Sequence, residues 1–181
     1  MKKTGSHRIQ DLFARFTHEV LACLTALVFR VRPVHVLHLP KGKSLYRYAQ
    51  FTKRCMEGVR KEDVRMYMER MYRMSYMLGR TVWSVSRLFG VRDKMQLVIF
   101  LYRNIGIRME GTPDKVVVTS CPFSTLYSPF MCAFIGAMDD GIVSGIFGEG
   151  HFRFTGRITE GCGVCRASLV TGRGEETDHF V

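Results

Sequence analysis

The hydrophobic pattern of the chain changes period near residue 105. Upstream, apolar residues recur every three or four positions; downstream they alternate. Over residues 9–30, Leu12, Phe16, Val20, Leu24, Leu27 and Val28 form a stripe that predicts an amphipathic helix, with Asp11 and Arg15 as an i,i+4 pair off it. Pro33 and Pro40 bracket VHVLHL, read as a short extended connector. A second helix is predicted over 44–58, begun by Ser44 and ended near Gly58. Residues 61–79 give the clearest helix, with Val64, Met68, Met71, Tyr72, Ser75 and Leu78 on one face. The five methionines from Met66 to Met77 suit a flexible core filling better than a ligand groove. Residues 83–88 and 93–103 continue the helical pattern, with Val91, Met95, Val98, Ile99 and Tyr102 on one side.

Downstream, Ile105, Ile107 and Met109 alternate. Gly111-Thr112-Pro113-Asp114 supplies a turn, and Lys115 to Thr119 returns as the second arm of a hairpin. Ser128 before Pro129 marks a helix start, and that helix should run to about Phe147. Phe152, Phe154 and Ile158, then Cys165, Ala167 and Leu169, predict a second hairpin turned by Gly161 and Gly163. The expected fold is α+β: N-terminal helices (1–104), then a β-β-α-β-β core (105–171) whose two hairpins form one antiparallel sheet with one long helix between them.

At 181 residues, 46% hydrophobic and 24% charged, the chain suits a single domain, 1–181. Its net charge of +11 is unevenly spread. Residues 1–40 carry net +4, residues 41–110 net +10 and residues 111–181 net −3. A solvated helix face accounts for such a surface most simply, with a non-specific anionic partner as the functional alternative. The longest apolar run, Val20 to Phe29, is about half of what a bilayer needs, so no membrane span is expected. Asp11 and Glu19 break a signal-peptide pattern, and a cytoplasmic location with reduced cysteines follows as the expectation. Oligomeric state is not legible, and a homodimer stays open.

The candidate chemistry gathers in the last third. Cys121, Cys132, Cys162 and Cys165 follow the order C-x10-C-x29-C-x2-C. A C-x2-C at a turn is a common half-site for zinc or an iron–sulfur cluster. Three readings stand side by side: a metal or cluster on the four cysteines, a thiol used in chemistry, and buried apolar cysteines. Cys132, Gly136, Asp139 and Val143 share a helix face, and Asp139-Asp140 is an acidic pair in mid-helix. Asp139 is a candidate general base, a ligand-orienting carboxylate or a solvated charge. Glycines 136, 141, 145 and 148 each cost helix propensity by about 1 kcal/mol relative to alanine, which implies close backbone approach, to the sheet or to a ligand. No G-x-S-x-G, P-loop or G-x-G-x-x-G occurs.

The run Cys121-Pro122-Phe123, then Cys132, Asp139-Asp140-Gly141, Gly145, Phe152 and RITEGCGVC (157–165), resembles the C-terminal core of the L-2-amino-thiazoline-4-carboxylic acid hydrolase family. The order of elements, with RMSYMLGR (73–80), is also similar to ligand-binding domains of the 4-vinyl reductase type. The resemblance spans roughly residues 64–170. It implies a small-molecule pocket between helices and sheet, with Cys121, Asp139, Thr159 and Cys165 at the matching positions. The first family implies hydrolytic opening of a cyclic amidine ring at a C–N or C–S bond, with Asp139, Cys121 and Thr159 as catalytic residues. The second implies a non-catalytic module that binds a ligand or metal.

Overall fold

The computed structural model describes residues 4–148 and 150–170, with side chains from Arg8 onward. Five helices, α1 (Thr4–Phe29), α2 (Lys41–Glu57), α3 (Val64–Leu88), α4 (Lys94–Asn104) and α5 (Pro129–Phe147), join four strands, β1 (Arg108–Thr112), β2 (Lys115–Ser120), β3 (His151–Gly156) and β4 (Cys165–Val170). The sheet order is β1-β2-β4-β3, and every neighbour is antiparallel. This is the expected α+β arrangement of two hairpins with one long helix between them.

One face of the sheet is the core. Val116 and Val118 of β2, Cys165 and Ala167 of β4 and Phe152 of β3 meet Val98 and Tyr102 of α4 and Val143 and Ile146 of α5. Burying an aliphatic or aromatic side chain of this size contributes about 1.5–3 kcal/mol, so this layer fixes α5 on the sheet. A second cluster lies behind it, where Phe134 and Met138 of α5 meet Leu21, Leu24 and Val28 of α1, Tyr48 of α2 and Met71 of α3. Helix α5 is thus the element that both layers share. Ser128 caps it as the sequence predicts, its hydroxyl accepting the Met131 N–H at 3.2 Å.

Several local expectations shift. The face of α1 that meets the protein is Ala14, His18, Leu21, Thr25 and Val28, while Leu12, Phe16 and Leu27 are 52%, 56% and 64% exposed. Arg15 donates to the Asp11 backbone carbonyl at 3.3 Å rather than pairing with its carboxylate. Helix α2 starts at Lys41, and Ser44 sits inside it, buried, bonded to the Lys41 carbonyl at 2.8 Å and to His18 Nδ1 at 2.8 Å. Helix α3 is continuous from Val64 to Leu88, joining two segments that the sequence separates. Of the methionines in α3, Met68 and Met71 are buried, whereas Met66 and Met77 are exposed. The connector before α2 is fastened by Glu19, which accepts from the Val36 and Leu37 N–H groups at 2.6 and 2.9 Å and contacts His35 Nδ1 at 2.7 Å.

Two glycines of α5, Gly141 and Gly145, answer to a neighbouring helix rather than to the sheet. A Cβ on Gly141 would run into the Tyr72 carbonyl, one on Gly145 into the Tyr76 carbonyl, and one on Gly79 into the Ile142 carbonyl. Helices α3 and α5 therefore touch backbone to backbone along this seam.

Two helical windows, Arg8–Phe29 and Pro129–Phe147, are long and apolar enough by length and composition to cross a membrane. The single apolar run considered in the sequence understates α1, whose apolar window reaches past Glu19. Within the fold about half of each window is buried, 44% and 50%, and α5 carries the Asp139-Asp140 pair in its middle.

Candidate functional site

Asp139 stands on the α5 face that also bears Gly136 and Cys132, one and two turns nearer the helix start. Nothing lies within 4 Å of where a Gly136 Cβ would sit, so this face opens beside the carboxyl. Two short 3-10 turns flank it, Pro122–Thr125 after β2 and Ile158–Glu160 after β3; they touch each other, and the second also touches α5. The Ile158–Glu160 turn is locked by Glu160, which accepts from the Arg157 N–H at 3.1 Å and from its guanidinium at 3.4 Å. Arg157 also lies over the Phe154 ring, 4.7 Å from its centroid, with its side chain 26% exposed.

Asp139 is not a solvated charge. Burial raises its pKa to about 6, against the opposing pull of the Tyr102 hydroxyl and the Arg157 cation. Asp140 is raised further, to about 7, by burial and by the neighbouring Asp139, despite the Phe152 N–H and Arg157. Both carboxyls therefore keep their protons to higher pH than ordinary aspartates, Asp140 more so than Asp139.

Three buried polar atoms here lack a protein hydrogen-bond partner: Tyr102 Oη, Asp140 Oδ1 and Thr159 Oγ1. The Tyr102 hydroxyl is close enough to Asp139 to affect its titration, yet its geometry stops short of a well-formed bond. Thr159 stands in the same relation to the Cys132 thiol. A buried unpaired polar atom costs about 1–3 kcal/mol, so the Tyr102 and Thr159 hydroxyls depend on these looser contacts with Asp139 and Cys132.

The thiols are arranged unequally. Cys121 and Cys132 feel each other and Asp139, and Cys132 also feels Cys165, so three of the four cysteines gather at Asp139. Cys162 stands over Gly156 at the end of β3, its Sγ 3.1 Å from where a Cβ there would lie. Burial pushes the Cys121 thiol up to about 12 and raises that of Cys132, leaving both protonated and poorly nucleophilic at neutral pH. Cys165 Sγ accepts the Ile158 N–H at 3.3 Å, which ties β4 to the Arg157 turn. Among the described residues, no three His, Cys, Asp or Glu side chains are grouped as ligands for a metal ion.

Tyr102 and Arg157 are the site residues that residue patterns miss. Tyr102 falls on the apolar side of α4 and reads as core, and Arg157 lies seventeen or more positions from either carboxylate. The only sequence signal for Arg157 is its place at the head of the RITEG turn. Comparisons with protein-family models, with curated proteins and with solved structures find no match.

Proposed function

We propose that the chain binds a small polar molecule in the recess over Gly136 and hydrolyses it by carboxylate acid–base chemistry. The observation that carries this reading is the Asp139-Asp140 pair, raised to about 6 and about 7 by burial with Arg157 acting on both, beside the open space at Gly136. A substrate of the cyclic amidine or thiazoline class, as the family resemblance implies, suits the recess. Its carboxylate would lie toward Arg157 and its ring toward Asp139. Asp139 takes a proton from water as the water oxygen bonds to the amidine carbon. The ring C–N or C–S bond then breaks, and protonated Asp140 supplies the proton to the departing nitrogen or sulfur. Thr159 and Tyr102 offer hydroxyls to the substrate, and Cys121 and Cys132 close the recess as protonated thiols. No metal takes part in this scheme.

The test is hydrolysis of 2-amino-thiazoline-4-carboxylate by the full chain, followed by loss of substrate absorbance. Asp139→Asn should lower turnover by about 10²–10⁴-fold, the usual weight of a general base. The pH profile should be a narrow bell, rising near pH 6 and falling near pH 7. Binding of the substrate without turnover would assign the chain to the non-catalytic class. Neither binding nor turnover would sink the reading for this substrate class.

A further inference from the structure

A second cavity, far in sequence from the Asp139 recess, lies between α2 and the connector that precedes it. Its volume is about 710 Å³, within the range that holds small organic ligands. Four cations line it, Arg32, Lys43, Arg47 and Arg54, and no carboxylate does. None of the four forms an ion pair among the described residues. Lys43, Arg47, Gln50 and Arg54 follow at spacings of four, three and four, so they form one stripe of α2, about 16 Å long at 1.5 Å per residue. Two aromatic rings, Tyr46 and Phe51, share the wall, and the Tyr46 side is more than half exposed.

The same end of the cavity receives the start of α2. Pro40 precedes the helix without any side-chain hydrogen bond to it, so the first-turn amides, at Gly42 and Lys43 on the cavity wall, keep their N–H groups open. Gly42 has nothing within 4 Å of its would-be Cβ, which leaves the backbone approachable. Separated like charges held at a concave wall without counter-charges repel one another, and an anion of matching length relieves this. A single phosphate would engage only part of the stripe. A chain of phosphates answers several cations at once, and an attached planar ring can stack on Tyr46.

We propose that this cavity binds a nucleoside polyphosphate, with the phosphates along Lys43, Arg47 and Arg54 and the base against Tyr46. The site is separate from the hydrolytic recess and does not depend on it.

Isothermal titration of the full chain with ATP, tripolyphosphate and oligothymidylates of increasing length tests the proposal. ATP should bind more tightly than tripolyphosphate, and both should weaken as salt rises. Arg47→Gln with Arg54→Gln should weaken ATP by about tenfold or more, the weight of one or two charge-assisted bonds. Tyr46→Ala should weaken ATP by about tenfold, the weight of one stacked base, and leave tripolyphosphate unchanged. Asp139→Asn should leave ATP binding as it is. A thermal melt of each variant confirms the fold, and the Tyr46, Arg47 and Arg54 side chains are all exposed. Equal affinity for ATP and tripolyphosphate would overturn the proposal, as would wild-type binding by the arginine double variant. An affinity that climbs with oligothymidylate length would also overturn it, because a nucleic-acid strand would then be the ligand.

Discussion

The two halves of α5 use the same residue type to opposite ends. In the first half, Gly136 leaves space beside Cys132 and Asp139. In the second, Gly141 and Gly145 remove space and let α3 lie against the helix backbone. The Asp139-Asp140 pair falls at the junction, where the open face meets the sealed one. That position explains its titration: burial raises both carboxyls although the helix face beside them is open at Gly136. Glycine content alone therefore says nothing about a helix until each neighbour is known.

Gly141→Ala breaks the sealed half and should have the largest effect. Its Cβ meets Tyr72 and Tyr76 backbone and the Ser75 side chain, none of which can swing aside. The loss should exceed the about 3 kcal/mol upper range of ordinary overpacking, read as a fall in the midpoint of chemical or thermal unfolding.

The buried histidine supplies a control of opposite sign. Burial lowers His18 from 6.5 to about 4, with Lys41 adding to the shift. Its folded pKa lies below the unfolded one, so its contribution is full above pH 6.5 and is lost as pH falls toward 4, by about 3 kcal/mol. The acid pair opposes this slope in the wild type, so the readout is the difference between wild type and His18→Gln across pH 4–7, which should grow from pH 4 to about 6.5 in favour of the wild type.

The acid pair runs the other way. Asp139 is raised from 3.8 to about 6, so its contribution is fully present below pH 3.8 and is lost as pH rises through 6. Asp139→Asn should therefore stabilise the fold at pH 8 by about 2–3 kcal/mol, and the gain should vanish near pH 4. A variant destabilised at pH 8 would show that the carboxylate is compensated in a way the burial argument lacks.

The smallest effect tests the open half. Gly136→Ala should stabilise α5 by up to about 1 kcal/mol through helix propensity, because nothing opposes the new methyl. The same methyl narrows the recess, so substrate affinity should fall while stability rises. A loss of stability at Gly136 would erase the contrast between the two halves.

Elements with strong local punctuation were legible in the sequence. Ser128-Pro129 fixes the start of α5, and the turn at residues 111–114 and the alternation around it fix the first hairpin. Helix α1 was legible as a helix but not in its orientation. It carries two apolar stripes, and only tertiary contact decides that Ala14, His18 and Leu21 turn inward while Leu12 and Phe16 stay out. Ser44 misleads for a similar reason: its hydroxyl does bond backbone, but from within the helix and toward His18. At the site, Asp139, Cys121, Cys132, Thr159 and Cys165 were all singled out, and the structure brings them close. Tyr102 was hidden by its apolar neighbours, and Arg157 by distance along the chain. The glycine seam was expected from propensity, but its partner was not, because α3 shows only one glycine, Gly79, at the contact.

The strand order has a consequence for how the chain is made. Strand β4 sits between β2 and β3 yet follows both in sequence. Until residue 165 and its successors arrive, β3 has no neighbour and the first hairpin ends in an open edge at Val116 to Val118. Closure of the sheet is thus an insertion of β4 at its centre, between the first hairpin and β3. That pairing joins segments about fifty residues apart, the kind of long-range contact that raises the loop-closure cost of folding. Without β4, the Val116–Val118 edge of β2 would stand open, the kind of edge that invites pairing with another chain.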